Sequence, residues 1–177
     1  MRTSAPRKNR NNRALRSPRL RLTIQNASGA SGLPARSTLR RWLLRALAHD
    51  AILTVRFVGA AEGRRLNRQF RGRDYATNVL SFGYDALSGR HPARGAPIHG
   101  DIVLCVPVLR REARAQRKSL RAHCAHLLIH GALHLSGHDH EKAKDARVME
   151  ALEAGLLDSL GYDDPYATIG ESGSRIR

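Results

Sequence analysis

The 177-residue sequence predicts a single small α/β (α+β) domain, with one mixed sheet of about four strands covered by about five helices. Three observations carry this expectation. β-branched runs come early in the chain, apolar stripes at helical spacing cluster late, and helical segments separate the first strands. With 41% apolar residues the chain can close one core, and its length suits one ordinary domain with ragged ends.

The elements follow in order. Met1 to Leu22 holds eight Arg/Lys and no acid, is rich in Asn, and is broken by Pro6 and Pro18; it is expected to be a flexible basic arm. Its acid-free Arg/Ser composition also fits an organelle transit peptide, but Asn9, Asn11, Asn12 and the two prolines interrupt any amphipathic helix. The domain is placed at 23–166 and a tail at 167–177. Leu20 to Gln25 reads as a short β-like run, followed by a Ser/Gly/Pro turn to Pro34. Ser37 or Thr38 is expected to cap a helix carrying Leu39, Trp42, Leu43, Ala46 and Leu47. Ala51 to Val58 predicts a strand, Ala60 to Phe70 a helix, Arg71 to Asp74 a polar turn and Val79 to Phe82 a short strand. Gly83 to Pro97 reads as a loop and Ile102 to Val106 as a strand. Leu109 to Arg117, Leu120 to Leu135 and Glu141 to Leu160 predict three further helices, the last stopped by Gly161.

Composition bounds the function. The formal charge of +16 points to a polyanionic partner, yet half of it lies in the arm; the remaining 155 residues hold 23 basic and 15 acidic groups, a net +8. No apolar run approaches the ~18–20 residues of a membrane span, and the N-terminus has no apolar core of a secretion signal. Cys105 and Cys124 cannot form a disulfide framework and read as buried apolar filler in a reducing, cytoplasmic compartment.

The chemistry concentrates in His130-Gly-Ala-Leu-His134-Leu-Ser-Gly137-His138-Asp139-His140. On a helix His130 and His134 lie one turn apart on one face, where two imidazoles can hold one metal ion. Gly137 supplies a sharp exit that lets His140 return as a third ligand, leaving the fourth position open as in catalytic zinc sites. The His-x3-His-x5-His spacing, with Gly three residues after the second His, matches the metzincin protease pattern. It departs where those enzymes carry Glu as general base, because Gly131 stands there. Protease chemistry is therefore disfavoured. His123 and His126 extend the same helix face and are expected to support or line the site, whereas His138 is expected to point away.

These residues resemble the HGxLHLxGYDH motif of the YbeY family of bacterial endoribonucleases, with His138 in place of the usual Tyr. Leu66-Asn67, Phe70 to Asp74 and Thr77 to Phe82 resemble a second block of that family, Gly100 to Cys105 a third, and Leu160 to Tyr166 the C-terminal one. The resemblance implies a single-strand-specific, metal-dependent endoribonuclease acting in 16S rRNA 3′-end maturation, small-subunit ribosome assembly and quality control. It also implies one Zn(2+) per chain on His130, His134 and His140, and a catalytic or phosphate-binding role for Arg71. An Arg suits that role because a guanidinium can hold two oxygens of a pentavalent phosphorane. Thr77, Asn78 and Ser81 read equally as turn chemistry or as a strand edge beside the metal cleft, and Asp101 is left outside the site. Two other readings stay open: a zinc metalloprotease-like hydrolase, and a noncatalytic rRNA-binding assembly factor with a structural metal. Three imidazoles would also suit nickel or iron.

Overall fold

The computed structural model describes residues 17–84, 96–138 and 142–167. Strand β1 (Leu20–Asn26) leads through helix α1 (Arg36–Ala46) to β2 (Ala51–Val58). Helix α2 (Ala60–Arg71) then leads to β3 (Val79–Gly83) and β4 (Ile98–Cys105). Helices α3 (Val106–Ala115), α4 (Leu120–Leu135) and α5 (Ala143–Asp158) follow. The sheet order is β1-β2-β4-β3. β1 and β4 both run parallel to β2, and β3 pairs antiparallel with β4 at the edge. The sheet is therefore mixed, with four strands and five helices among the described residues, as the sequence predicts. Parallel neighbours need a crossover, and α1 supplies the one between β1 and β2.

Period-two alternation divides the sheet into two faces. Leu53, Val55 and Phe57 of β2 and Ile102 and Leu104 of β4 join Leu39, Trp42 and Leu43 of α1 and the apolar residues of α4 in the main core. Val58, Leu80, Val103 and Cys105 form a smaller cluster on the opposite face with Val108, Leu66, Ala76 and Phe82. Helix α2 belongs to that second face, and a Cβ on Gly63 would meet Cys105 Sγ at 3.0 Å. Helix α4 lies inside the fold and is apolar around much of its circumference, with nine buried residues from His123 to Leu133, which is how a central helix reads. Cys105 and Cys124 are both buried free thiols, and burial pushes Cys124 up to about 12.

Several local expectations shift. α1 starts at Arg36 with Ala35 as its cap residue and no side-chain cap. Thr38 Oγ1 instead accepts a hydrogen bond from Arg121 at 3.4 Å, and the Arg36 guanidinium reaches Leu22 O. β1 draws residues 20–22 of the basic segment into the sheet, where Leu20 and Leu22 are buried. β4 begins four residues before the predicted Ile102 because Gly100 has a structural duty inside the strand. A Cβ there would sit 2.5 Å from Phe82 O and 2.9 Å from Leu135 Cδ2. α3 starts at Val106, with Pro107 in its first turn, where a missing N–H costs nothing.

Candidate functional site

Helix α4 is built to hold its register. Ser119 caps it, with Oγ accepting from Ala122 N at 3.1 Å. At the other end Gly137 turns the chain with φ +90, a conformation that L side chains rarely adopt. That turn brings the His138 carbonyl back over the last helical turn, where it accepts from His134 Nδ1 at 3.0 Å. His138 thus contributes its backbone.

His130 is fixed by a partner that the sequence reading missed. Its Nδ1 lies 2.8 Å from Glu153 Oε1, and Glu153 is fully buried on α5. The other carboxylate oxygen, Oε2, meets His126 Nε2 at 2.9 Å and accepts from the Tyr166 hydroxyl. Burial alone would raise the Glu153 carboxyl, but the hydrogen bonds from His126, His130 and Tyr166 outweigh it and hold it down to about 2. The Tyr166 phenol is correspondingly pushed up, by burial first, then by its hydrogen bond to Glu153 and by the Glu153 charge. Glu153 is thus an anion in place, and it accepts the Nδ1 proton of His130.

With Nδ1 of His130 tied to a carboxylate and Nδ1 of His134 tied to a carbonyl, each ring presents its Nε2 lone pair. Those two Nε2 atoms face each other at 3.1 Å. Two lone pairs at that distance repel unless a proton or a cation lies between them. Two imidazoles on one tetrahedral ion, each bound at ~2.0–2.1 Å, would stand roughly 3.3 Å apart. The donor set therefore fits a borderline divalent metal, and an oriented, carboxylate-backed His is the usual arrangement behind such ligands. Among the described residues no group of three or more His, Cys, Asp or Glu is placed to hold a metal. The predicted third ligand, His140, lies outside the described residues.

Gly131 explains the departure from the protease pattern. It faces the sheet, and a Cβ there would fall 2.9 Å from Ser81 Oγ and 3.0 Å from Ile102 Cγ2. The general-base Glu of that pattern has no room to stand here. Ser81 accordingly lies on the α4 side of β3. Asn78 behaves as turn chemistry: its Oδ1 accepts from Val79 N at 2.7 Å and its Nδ2 donates to Glu112 Oε2 at 3.0 Å. Asp101 lies on the α2 side of β4, with one carboxylate oxygen buried and without a hydrogen-bond partner.

The remaining predicted residues separate. His126 supports the pair through Glu153 and also lines a cavity of about 240 Å³ with Arg117, Lys118 and Tyr162. His123 takes no part: its Nε2 meets Glu112 Oε2 at 2.9 Å in a buried position. Arg71 is the exposed last residue of α2, beside Gly72, whose φ of +66 ends the helix. Its side chain makes no hydrogen bond or ion pair among the described residues, and its helix lies on the face of the sheet away from α4.

A mixed sheet with a histidine-bearing central helix and a buried carboxylate behind one histidine defines an α/β domain with a helix-borne histidine pair. The family model of Endoribonuclease YbeY matches residues 31–161 of the sequence. The chain belongs to that family. It is 54% identical over 154 residues to the Endoribonuclease YbeY of Aromatoleum aromaticum, covering 85% of this chain and 95% of that protein. It is 50% identical over 157 residues to that of Cupriavidus metallidurans (87% and 77% covered). The Stenotrophomonas maltophilia protein is 50% identical over 152 residues (84% and 94%). A Thermotoga maritima protein solved in solution has the same fold, with a TM-score of 0.51 at 23% identity, over 82% of this chain and all of that one. No helix among the described residues is long and apolar enough to cross a membrane.

Proposed function

We propose that this chain is a single-strand-specific, metal-dependent endoribonuclease acting in 16S rRNA 3′-end maturation during small-subunit assembly and quality control in the cytoplasm. The observation that carries the reading is the paired orientation of His130 and His134, with both Nδ1 atoms tied back and both Nε2 atoms converging to 3.1 Å. Membership of an endoribonuclease family supplies the substrate class. The bound ion in this reading is one Zn(2+), on His130, His134 and His140, and when bound it supplies Lewis acidity to a phosphoryl oxygen and acidifies water in the site.

The chain's own residues do the positioning. Glu153 accepts the Nδ1 proton of His130, fixes its tautomer and raises its basicity as a ligand. The His138 carbonyl does the same for His134. The Arg71 guanidinium offers a two-pronged grip for phosphate oxygens, and the net +8 of the chain beyond the arm draws RNA toward it. The test pairs metal analysis of the purified protein with cleavage of one RNA sequence as single strand and as duplex. About one zinc per chain and cleavage of the single strand alone are expected, both lost in His134→Ala. A folded His134→Ala protein that still cleaves would sink the metal mechanism. A 2′,3′-cyclic phosphate on the 5′ product would assign the attack to the RNA's own 2′-hydroxyl, and its absence to water.

A further inference from the structure

Edge strand β3 presents different surfaces at consecutive positions. Ser81 faces α4, where a Cβ on Gly131, the residue after His130, would fall 2.9 Å from its Oγ. Phe82, one residue on, faces the other side of the sheet and packs against Phe70 in the last turn of α2, with ring centroids 4.8 Å apart and planes at 60°. The Phe70 ring is not enclosed by this contact. Phe70 is 47% exposed, Tyr84 is 47% and Tyr75 is 56%. The chain has only eight aromatic residues, three Phe, four Tyr and one Trp, and four of them lie between Phe70 and Tyr84. An aromatic-poor chain thus collects half its rings at one edge and leaves three of them half open to water, which the packing of the core does not require.

The same stretch is rich in uncommitted positive charge. Arg64 is held by Asp74 at 2.9 and 2.6 Å. The side chains of Arg68, Arg71 and Arg73 make no hydrogen bond or ion pair among the described residues, although the Arg68 charge is also felt by Asp74. Among the described residues β3 is the last strand of the sheet, paired with β4 and with no other strand.

We propose that Phe70, backed by Phe82 and flanked by Arg68, Arg71 and Arg73, is a stacking platform for unpaired bases of the RNA strand whose phosphodiester reaches His130 and His134. The inference rests on the endoribonuclease reading of that histidine site and supplies a physical reason for its strand preference. An open aromatic face accepts any base, and arginines beside it hold the phosphates, so binding is tolerant of sequence. Bases inside a duplex have no free faces to offer, so a helix of RNA gains only the charge. Ser81 and Phe82 are adjacent in the strand, so a chain lying along this edge reaches the histidine helix on one side and the rings on the other.

The test measures binding of the full chain to a labelled single-stranded RNA, the same RNA with abasic positions, and the duplex, by anisotropy with RNA integrity checked on a gel. Phe70→Leu keeps the apolar contact with Phe82 but has no π face, so it separates stacking from packing. Phe70→Ala and Phe70→Leu are both expected to weaken single-strand binding about tenfold, and Phe70→Trp to retain it. Abasic RNA and duplex should bind all four proteins alike. The tryptophan of Phe70→Trp should also be quenched by intact single strands and not by abasic ones. Phe70→Leu binding like the wild type, or an equal loss on abasic RNA, would overturn the platform. Phe70-dependent binding by a wild-type protein that cleaves nothing would overturn the nuclease reading and leave the platform standing. Cleavage with no Phe70 effect would overturn the platform alone.

Discussion

The two ends of helix α4 carry the same residue type in opposite electrical settings. Toward the N-terminus, His123 spends Nε2 on Glu112 and leaves Nδ1 buried without a partner; His126 likewise gives Nε2 to Glu153. Toward the C-terminus the order reverses, with Nδ1 of His130 and His134 tied and Nε2 presented. The His123 side chain is 3% exposed and that of His130 is 23%. A shared helix face therefore does not make four equivalent histidines. Which ring nitrogen is already engaged, and whether the other reaches open space, separates a packed histidine from one with a lone pair to offer.

The strongest way to break that comparison is to exchange the two carboxylates for amides. Glu153→Gln keeps the size of the side chain but removes the buried charge that receives the His130 Nδ1 proton. Metal affinity, measured by competition with a chromophoric chelator, should fall about 10- to 100-fold. Among the described residues the Glu112 carboxylate hydrogen-bonds His123 and Asn78, away from the His130–His134 pair, so Glu112→Gln should leave that affinity unchanged. Equal losses in the two variants would mean that Glu153 holds the fold rather than the ligand.

A smaller effect is expected where the helix meets the sheet between its two ends. Gly131→Ala places a methyl group against Ser81 Oγ and Ile102 Cγ2, so the helix must shift off β3 and β4. Overpacking of this kind typically costs about 1–3 kcal/mol, read as a lower midpoint in urea with an unchanged slope. If Gly131→Ala is as stable as the wild type, Gly131 is not there for close approach.

Much of this was legible in the sequence, and the reasons differ by element. β2 at Ala51–Val58 and α4 at Leu120–Leu135 fall where the pattern places them, because β2 is a compact β-branched run and α4 an apolar run too long for a strand. The start of β4 was not, because Gly100 reads as a turn when its actual role is to let Phe82 O pass close by. The placement of His130 and His134 one turn apart on one helix face was legible from spacing alone. Glu153 was missed because acids on a surface helix are normally solvated. A signal was nevertheless present: Glu153 sits four residues from Met149 and from Leu157, an acid in the middle of the buried stripe of α5. Tyr166 completes that site from a segment with no periodicity, and only the fold brings it to Glu153.

The smallest expected effect sharpens the comparison at the packed end of α4. Burial lowers the His123 pKa below its ordinary value, and the hydrogen bond and charge of Glu112 only partly offset that. A histidine whose folded pKa is depressed binds its proton more readily in the unfolded chain. Its contribution is thus fully present above the unfolded value of about 6.5 and is lost as pH falls from there toward the folded value. Denaturation by urea at a series of pH values between neutrality and mild acid should show wild-type stability declining with acid more steeply than that of His123→Gln. Gln has no proton to take up, and it can still reach Glu112 through its amide. The difference between the two slopes isolates His123, because the other titrating groups are common to both proteins. Parallel slopes would mean that His123 is as easily protonated in the fold as outside it, and that the two ends of the helix differ less than their partners indicate.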